Sequence, residues 1–238
     1  MTADFFWAPR PRPTRGPKPA LTLDQIADAA IAIADAEGLA AVSMQRVAAD
    51  LGYTKMSLYR YLPGKTELVA AMLERGLGTP PPPGDGDWRP ALTAWAAALL
   101  TAYAGHSWAL EASTGRRPIG PHEVAWLERA LAVLPPGLTG AERLDAVATI
   151  AGHVRMIAGQ SGGAESDLAA AMGMVVRDHA EHYPAVVAAL TDVAVRGGAD
   201  DAFAFGLGRI LDGLEVLVAQ REPGDETDTE PSGERREG

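Results

Sequence analysis

The sequence predicts an all-α protein with a small N-terminal helical domain and a larger helical domain behind it. Apolar residues recur every three or four positions through most of the 238 residues, which is the spacing of amphipathic helices. No stretch alternates apolar and polar residues as a half-buried strand does. The segment 79–87, Thr-Pro-Pro-Pro-Pro-Gly-Asp-Gly-Asp, interrupts the helical pattern and marks the boundary between the two domains.

The first predicted helix covers about residues 23–37. Thr22 and Gln25 have the spacing of a capping box, in which each side chain bonds to the backbone N–H of the other. The apolar face that begins at Ile26 continues at helical spacing until Gly38, which ends the helix.

The next two helices are short, and their spacing indicates that they cross at a steep angle. Ala48 is small enough for a second helix to pass close by, and Gly52 accepts the positive φ of a tight turn. Leu58 is the apolar residue that holds the second helix against the first. This combination is typical of a helix-turn-helix, which places its second helix in the major groove of DNA.

The residues that are predicted to begin and end these helices also agree with a helix-turn-helix. Ser43 and Thr54 are the predicted N-caps of the two helices. Pro63-Gly64 stops the second helix, predicted over 55–61, because proline disfavours a helical residue before it. A fourth helix starts at Lys65 or Thr66, and residues 21–78 form the N-terminal domain.

Polar side chains on these helices are candidates for DNA contact. Arginine and lysine can donate to guanine, hydroxyls can reach phosphates or base edges, and Lys65 at a helix N-terminus suits a phosphate. Tyr59 can instead pack between helices, and Lys65 can simply be solvated. The predicted DNA contacts are Ser43, Gln45, Arg46, Thr54, Lys55, Ser57, Tyr59, Arg60, Tyr61 and Lys65.

Residues 1–20 are rich in proline and basic side chains and are predicted to be a disordered arm. One interpretation is a solvated tail. The other is an arm that lies in the minor groove beside the main site, where basic side chains meet enhanced negative potential. Its predicted DNA contacts are Arg10, Arg12, Arg15 and Lys18.

The net charge of −10 is unevenly distributed. Residues 1–78 carry nine Lys/Arg and eight Asp/Glu, whereas residues 79–220 carry nine and sixteen. The acidic residues are therefore concentrated behind the N-terminal domain, where they favour solubility and repel DNA from the wrong face. Residues 221–238 carry a further net charge of −4, lack large apolar groups and are predicted to be a disordered acidic tail.

Residues 88–220 are predicted to form a ligand-binding and dimerisation domain, with helices at about 88–105, 107–113, 121–134, 139–160, 165–181, 184–195 and 200–220. The helices 139–160 and 200–220 are predicted to be association surfaces, the alternative being ordinary core. A dimer is expected because one two-turn reading helix seldom supplies specific affinity. The apolar residues of these helices are Leu144, Val147, Ile150, Ala151 and Val154 in the first, and Phe203, Leu207, Ile210, Leu211, Leu214, Leu217 and Val218 in the second.

Aromatic, methionine and a few polar residues on otherwise apolar helices suit a site for a flat, largely apolar small molecule. Taken alone, each of these residues is better explained as part of the core. His153 is the most informative, because a histidine among apolar neighbours must find a partner or face a cavity. The predicted ligand contacts are Trp95, Leu99, Tyr103, Trp108, Trp126, His153, Met156 and Gln160.

Several runs resemble the TetR (tetracycline repressor) family. In the N-terminal domain they are 34–39 (Ala-Asp-Ala-Glu-Gly-Leu), 43–52 (Ser-Met-Gln-Arg-Val-Ala-Ala-Asp-Leu-Gly) and 57–68 (Ser-Leu-Tyr-Arg-Tyr-Leu-Pro-Gly-Lys-Thr-Glu-Leu). In the second domain 106–110, 117–121 and 205–215 resemble the branch of the tetracycline repressor itself. The resemblance implies a homodimer held by a four-helix interface, operator DNA as one partner, and repression relieved by a small effector.

The same resemblance implies that this chain lacks the metal site of the tetracycline repressor. The tetracycline repressor has a metal-ligand histidine where this chain offers Ser113 or Thr114, so no metal and no cofactor is predicted. Gln45 falls where that repressor has a base-reading arginine, which implies a different operator. His179 and His182, with Asp178 and Glu181, form a weaker metal pattern at helical spacing.

An enzyme is the competing class. Residues 159–163 fit the G-x-S-x-G pattern around Ser161, with Asp167 and His179 in the order of a hydrolase triad. That serine needs a turn after a strand, whereas a long helix is predicted here, so a glycine-rich helix end is the favoured interpretation. The absence of cysteine excludes disulfides and thiolate chemistry.

No apolar run is long enough to cross a bilayer and the N-terminus does not resemble a secretion signal, so a soluble cytoplasmic protein is expected. The sequence therefore predicts a sequence-specific DNA-binding transcriptional regulator with no enzymatic activity. Repression rests on the resemblance alone, and an activator or a ligand-independent regulator is the alternative.

Overall fold

The computed structural model describes residues 4–7, 21–82, 86–160, 164–196 and 201–221. Their regular secondary structure is helical and no strand occurs among them, which confirms the all-α prediction. None of the described helices is long and apolar enough to cross a membrane. The helices are α1 (Asp4–Trp7), α2 (Leu23–Glu37), α3 (Met44–Asp50), α4 (Lys55–Tyr59), α5 (Lys65–Leu77), α6 (Trp88–Ala104), α7 (Ala109–Ser113), α8 (Pro121–Val133), α9 (Gly140–Gln160), α10 (Ala164–Asp178), α11 (Pro184–Arg196) and α12 (Ala202–Ala219), with a 3-10 turn at Leu39–Ala41.

The helices α2 to α5 form the head of the molecule, in which α2 packs along α5. Ile26 of α2 and Met72 of α5 are both fully buried in the common core. The predicted capping box is present, since the Gln25 N–H donates to Thr22 Oγ1 at 3.1 Å and the Thr22 N–H donates to Gln25 Oε1 at 2.9 Å. These bonds satisfy N–H groups that the first turn of α2 leaves without a partner.

A tight turn joins α3 to α4. Gly52 has a φ of 73°, and the N–H of Tyr53 donates to the Ala48 carbonyl at 2.8 Å, which closes the turn. Leu58 has no exposed surface, and it fixes α4 against the rest of the head. The predicted helix-turn-helix is therefore confirmed.

The second helix of this unit, α4, ends at Tyr59, two residues before the predicted end. The N–H of Tyr61 donates to the Leu58 carbonyl at 2.9 Å, three residues back, so the chain tightens into a 3-10 turn. The tightening precedes Pro63, and the residue before a proline avoids helical dihedral angles.

In the C-terminal half of the chain, α6 to α12, the central helix is α9. Leu92 of α6, Ile150 of α9 and Leu211 of α12 are buried in one apolar core, because α6 and α12 both pack on α9. Arg89 at the start of α6 pairs with Asp212 and Glu215 of α12. The predicted helices of this half all exist, and their ends differ from the observed ones by at most three residues.

The N-terminal segment departs from the prediction of a disordered arm at residues 4–7. These residues form α1, whose Phe5 and Phe6 are half-buried against the core, and the indole N–H of Trp7 donates to the Ile119 carbonyl at 3.3 Å. A one-turn helix is not stable alone, so its aromatic contacts hold it in place. The predicted arm contacts Arg10, Arg12, Arg15 and Lys18 lie outside the described residues, as does 222–238 of the predicted acidic tail.

Candidate functional site

The outward side of α4 carries several side chains that are exposed to solvent. Leu58 occupies the inward side, so the residues around it on the helix point away from the core. Thr54 caps the helix by accepting the N–H of Ser57 at 3.3 Å. The exposed residues of this surface are Lys55, Met56, Tyr59 and Arg60.

The Lys55 and Tyr59 side chains interact with each other along this surface. The Nζ atom of Lys55 lies 5.5 Å from the centre of the Tyr59 ring, which is within the range of a cation–π contact. Their i, i+4 spacing places both on the same side of the helix. The contact keeps the Lys55 ammonium group next to the Tyr59 ring on the solvent-exposed side of α4.

Met56 is a surface residue that the sequence reasoning missed. It is 71% exposed, which is unusual for a methionine in a small helical head. Its position two residues before the buried Leu58 was the available signal, because residues two apart lie on nearly opposite sides of a helix. An exposed apolar side chain on this surface suits contact with a thymine methyl group.

Most of the other predicted DNA contacts in the head have side chains that are held by a hydrogen bond, by an ion pair or by packing on the core. Ser43 accepts the N–H of Arg46 at 3.1 Å, and the guanidinium of Arg46 is paired with Glu37 at 2.7 Å. The hydroxyls of Thr54 and Ser57 share a hydrogen bond of 3.0 Å. Tyr61 is half-buried against the core, whereas Gln45 and Lys65 are exposed.

A cavity of about 440 Å³ lies between α6, α8 and α9. The two tryptophans in its wall are fixed by hydrogen bonds, since Trp95 Nε1 donates to the Trp126 carbonyl and Trp126 Nε1 donates to the Gly78 carbonyl, each at 3.0 Å. Their rings meet edge to face at 6.0 Å. Four of the eight predicted ligand contacts line this cavity: Trp95, Leu99, Tyr103 and Trp126.

The other four predicted ligand contacts do not line this cavity. Trp108 is buried where α7 meets the head, and its indole N–H donates to Asp35 at 2.7 Å. His153 faces α12, where Nε2 donates to the Phe203 carbonyl at 3.0 Å and the two rings stack. Met156 is exposed on α9, and Gln160 lies at the end of that helix.

Charged residues at the cavity were not predicted from the sequence. Glu123 is neutralised by a two-point ion pair with Arg117, whereas no ion pair occurs between Asp145 or Arg155 and another described residue. Both line the cavity from α9, in line with Ala148 and Ala151. The spacing 145, 148, 151, 155 was a usable signal, because it marks one side of a helix.

The apolar residues predicted to form association surfaces on α9 and α12 differ in their burial within the single chain. Each helix turns much of its apolar side toward the core of the same chain, where α9 and α12 pack on each other. Other apolar side chains of the two helices are exposed, namely Leu144 and Met156 on α9 and Phe205 and Val216 on α12. The residues predicted for association that are buried are Val147, Ile150, Val154, Leu207, Leu211 and Leu214.

Among the described residues no group of three or more His, Asp or Glu side chains is placed to hold a metal ion, although His182 Nε2 lies 3.5 Å from Glu181 Oε1. Gly159 is within α9, so a helix and not a strand precedes Ser161, which itself lies outside the described residues. His179 and His182 are exposed beyond the end of α10. The hydroxyls of Ser113 and Thr114 each donate to a backbone carbonyl three residues back at 2.8 Å.

Comparison with known proteins places both halves in one family. Residues 22–72 match the family model of bacterial regulatory proteins of the tetR family, and residues 80–218 match that of the tetracyclin repressor-like C-terminal domain. The HTH-type transcriptional repressor DrrR1 of Streptomyces coeruleorubidus is 43% identical, over 92% of this chain and 87% of its own length. The structure of ActR of Streptomyces coelicolor in complex with actinorhodin aligns with a TM-score of 0.70 and 26% identity, over 85% of this chain and 99% of ActR. The chain therefore belongs to the TetR family of transcriptional regulators.

Proposed function

We propose that this protein is a homodimeric repressor that binds operator DNA through its α3–α4 units and is released by a flat, largely apolar effector. The observation that carries the proposal is the outward side of α4. It presents two cations, an aromatic ring and an exposed methionine on a helix that Leu58 and the Thr54 cap hold fixed. A fixed helix with that chemistry can read base edges in a major groove.

Different side chains of the head have different tasks in this proposal. Arg60 and Lys55 donate to guanine, Gln45 on α3 suits adenine, and Met56 suits a thymine methyl group. Lys65 and the N–H groups at the start of α5 hold a phosphate, because the N-cap Gly64 has no side chain to satisfy them. Arg46 has a smaller role, since its charge is already paired with Glu37.

A single head cannot bind one DNA sequence specifically, and this supports a dimer. A helix of five residues supplies too few base contacts for specific affinity, whereas two heads related by a two-fold axis read two half-sites. The exposed side chains of Met156 on α9 and of Phe205 and Val216 on α12 are apolar groups that a second copy can cover. The net charge of the C-terminal half disfavours DNA there, which leaves the two heads as the surfaces suited to the duplex.

The effector class follows from the cavity walls. Tryptophan and tyrosine rings at fixed angles favour a flat molecule, and the charged Asp145 and Arg155 at its α9 side allow polar substituents. DrrR1 is named a repressor, and ActR is in complex with actinorhodin in its structure. Actinorhodin is accordingly a reasonable first probe for this cavity.

A gel shift on the DNA flanking the protein's own gene tests operator binding. We expect the full chain to shift one fragment as a dimer and the Arg60→Ala variant to shift it at least about tenfold more weakly. Light scattering on the same samples reports the oligomeric state. A protein that is monomeric and shifts no fragment would remove the proposal.

Effector binding is tested separately by tryptophan fluorescence and by release of the shifted fragment. We expect actinorhodin and flat polycyclic aromatic compounds to quench fluorescence and release DNA, and unbranched fatty acids to do neither. The Ala151→Phe variant fills the cavity wall and should abolish quenching. Ala141→Phe, on an exposed part of the same helix, is the matched control and should behave as the parent protein. Equal loss in both variants would place the effector elsewhere.

A further inference from the structure

The helix α8 starts without a side-chain cap of its own. Its N-cap is Gly120 and its first residue is Pro121, so neither can satisfy the free N–H groups of the first turn. Glu74, from α5 of the head, takes this role. Its Oε2 atom accepts the N–H of His122 at 2.9 Å, and its Oε1 atom accepts the N–H of Glu123 at 3.1 Å.

Residues at the end of α5 and at the start of α8 both shape the contact between Glu74 and α8. Glu74 is 6% exposed, and it is the only charged residue that is buried in the described part of the chain. A Cβ atom at Gly120 would lie 2.2 Å from Glu74 Cδ, so only glycine leaves room for the carboxylate. His122 completes the joint, because its Nδ1 atom donates to the backbone carbonyl of Glu74 at 2.7 Å.

These bonds are stronger than ordinary backbone contacts. A carboxylate at a helix N-terminus is stabilised by the helix dipole, and hydrogen bonds to a charged acceptor are shorter and stronger than neutral ones. A buried carboxylate without its donors carries a large desolvation penalty. The end of α5 and the start of α8 are therefore held in one relative orientation.

The same two helices join the head to the cavity. Beyond its first turn, α8 contributes Trp126 and Leu127 to the cavity wall, and the indole of Trp126 donates to the Gly78 carbonyl just after α5. A molecule that shifts α8 through Trp126 must therefore either move α5 or break the bonds that Glu74 and Trp126 make between the two helices. Because α5 packs along α2 and carries the head, moving it moves α4.

We propose that Glu74 is the positioning residue through which the cavity of the C-terminal half and the DNA-reading surface of the head are coupled. This inference rests on the proposed function, since it names how that site is regulated. Glu74 touches neither DNA nor effector. It acts by making α5 and α8 one unit, so that binding at either site selects the orientation of the other.

Hydrogen exchange measures this coupling without knowledge of the effector. The probe is the most enriched duplex from a random-sequence selection on the full chain. We expect the duplex to slow amide exchange in residues 119–127 by a factor of about five or more, the lower end of typical coupling. In Glu74→Gln and Glu74→Ala the same duplex should still protect residues 43–61 and no longer affect 119–127. Gly120→Ala, which displaces the carboxylate, should reproduce the loss.

Arg75→Gln is the matched control. Arg75 is adjacent on α5 and pairs with Asp28 inside the head, so its replacement weakens the head without touching α8. We expect its exchange response at 119–127 to match that of the parent protein. A response at 119–127 that persists in Glu74→Ala, or one that is also absent in Arg75→Gln, would overturn the role of Glu74. Failure to select any duplex would instead overturn the proposed function, and the coupling with it.

Discussion

The indole N–H of Trp108 donates to the Asp35 carboxylate at 2.7 Å and joins the C-terminal half to the end of α2 in the head. His106 Nδ1 lies 2.8 Å from the same oxygen. Trp108→Phe keeps a buried ring and removes the donor, so we expect the free energy of unfolding to fall by about 1–3 kcal/mol. Urea unfolding measures this change. Effector quenching should be unchanged, and weaker quenching at full stability would instead place Trp108 in the effector site.

Met56→Ala should relax operator specificity while leaving the fold intact. The side chain is largely exposed, so truncation should change the free energy of unfolding by no more than about 0.5 kcal/mol. We expect the preference for thymine at one position of each half-site to fall by about 1 kcal/mol or more. Selection of random duplexes with both proteins measures it, and Met56→Leu should retain the preference. Identical selected sequences for the parent and Met56→Ala would exclude Met56 from the reading surface.

The basic arm can be tested by substitution at Arg10, Arg12, Arg15 and Lys18. Deletion of residues 1–18 would also remove Phe5 and Phe6, which pack on the head, so replacing the four cations with glutamine is the cleaner change. If the arm lies in the minor groove, operator affinity should fall and the slope of log affinity against log salt should decrease by about 0.9 for each phosphate that is no longer neutralised. Fluorescence anisotropy across a salt series measures both. Unchanged affinity at every salt concentration would favour a solvated tail.

Acid should selectively remove the contribution of Glu142. This carboxylate accepts hydrogen bonds from Arg221 and from the backbone and hydroxyl of Thr139, which lowers the pKa of Glu142 to about 2. A carboxylate whose pKa is lower in the folded state stabilises that state above its unfolded pKa of about 4.3, and the stabilisation disappears as the pH falls towards 2. Glu142→Gln should therefore be less stable than the parent at pH 7, with the difference closing between about pH 4.3 and 2. Urea unfolding at several pH values checks this, and a constant difference would contradict it.

Local patterns predicted the head well. The bonds of Thr22, Ser43 and Thr54 join residues three apart, and the tasks of Gly52 and Leu58 follow from their spacing along one short segment. Such features depend on neighbours in sequence, which a single chain displays. Trp95, Leu99 and Tyr103 were likewise recognisable because they share one side of one helix.

Non-local contacts were not predictable. Trp108 bonds to a carboxylate 73 residues away, and His153 bonds to a carbonyl 50 residues away, so both looked like ligand contacts from the sequence alone. The apolar side of α12 was visible as a pattern, but the pattern does not say whether α9 or a second chain covers it. The helix α1 is too short to be predicted, because its stability comes from docking rather than from its own residues.

The fit between Glu74 and Gly120 sets a rule for building hybrid regulators from this chain. A head that carries glutamate at position 74 accepts only a partner half with glycine at 120, because a Cβ atom there would collide with the carboxylate. A head that lacks the glutamate would in turn leave the start of α8 uncapped. The two halves are thus not freely interchangeable modules, and a functional chimera must exchange these two positions together.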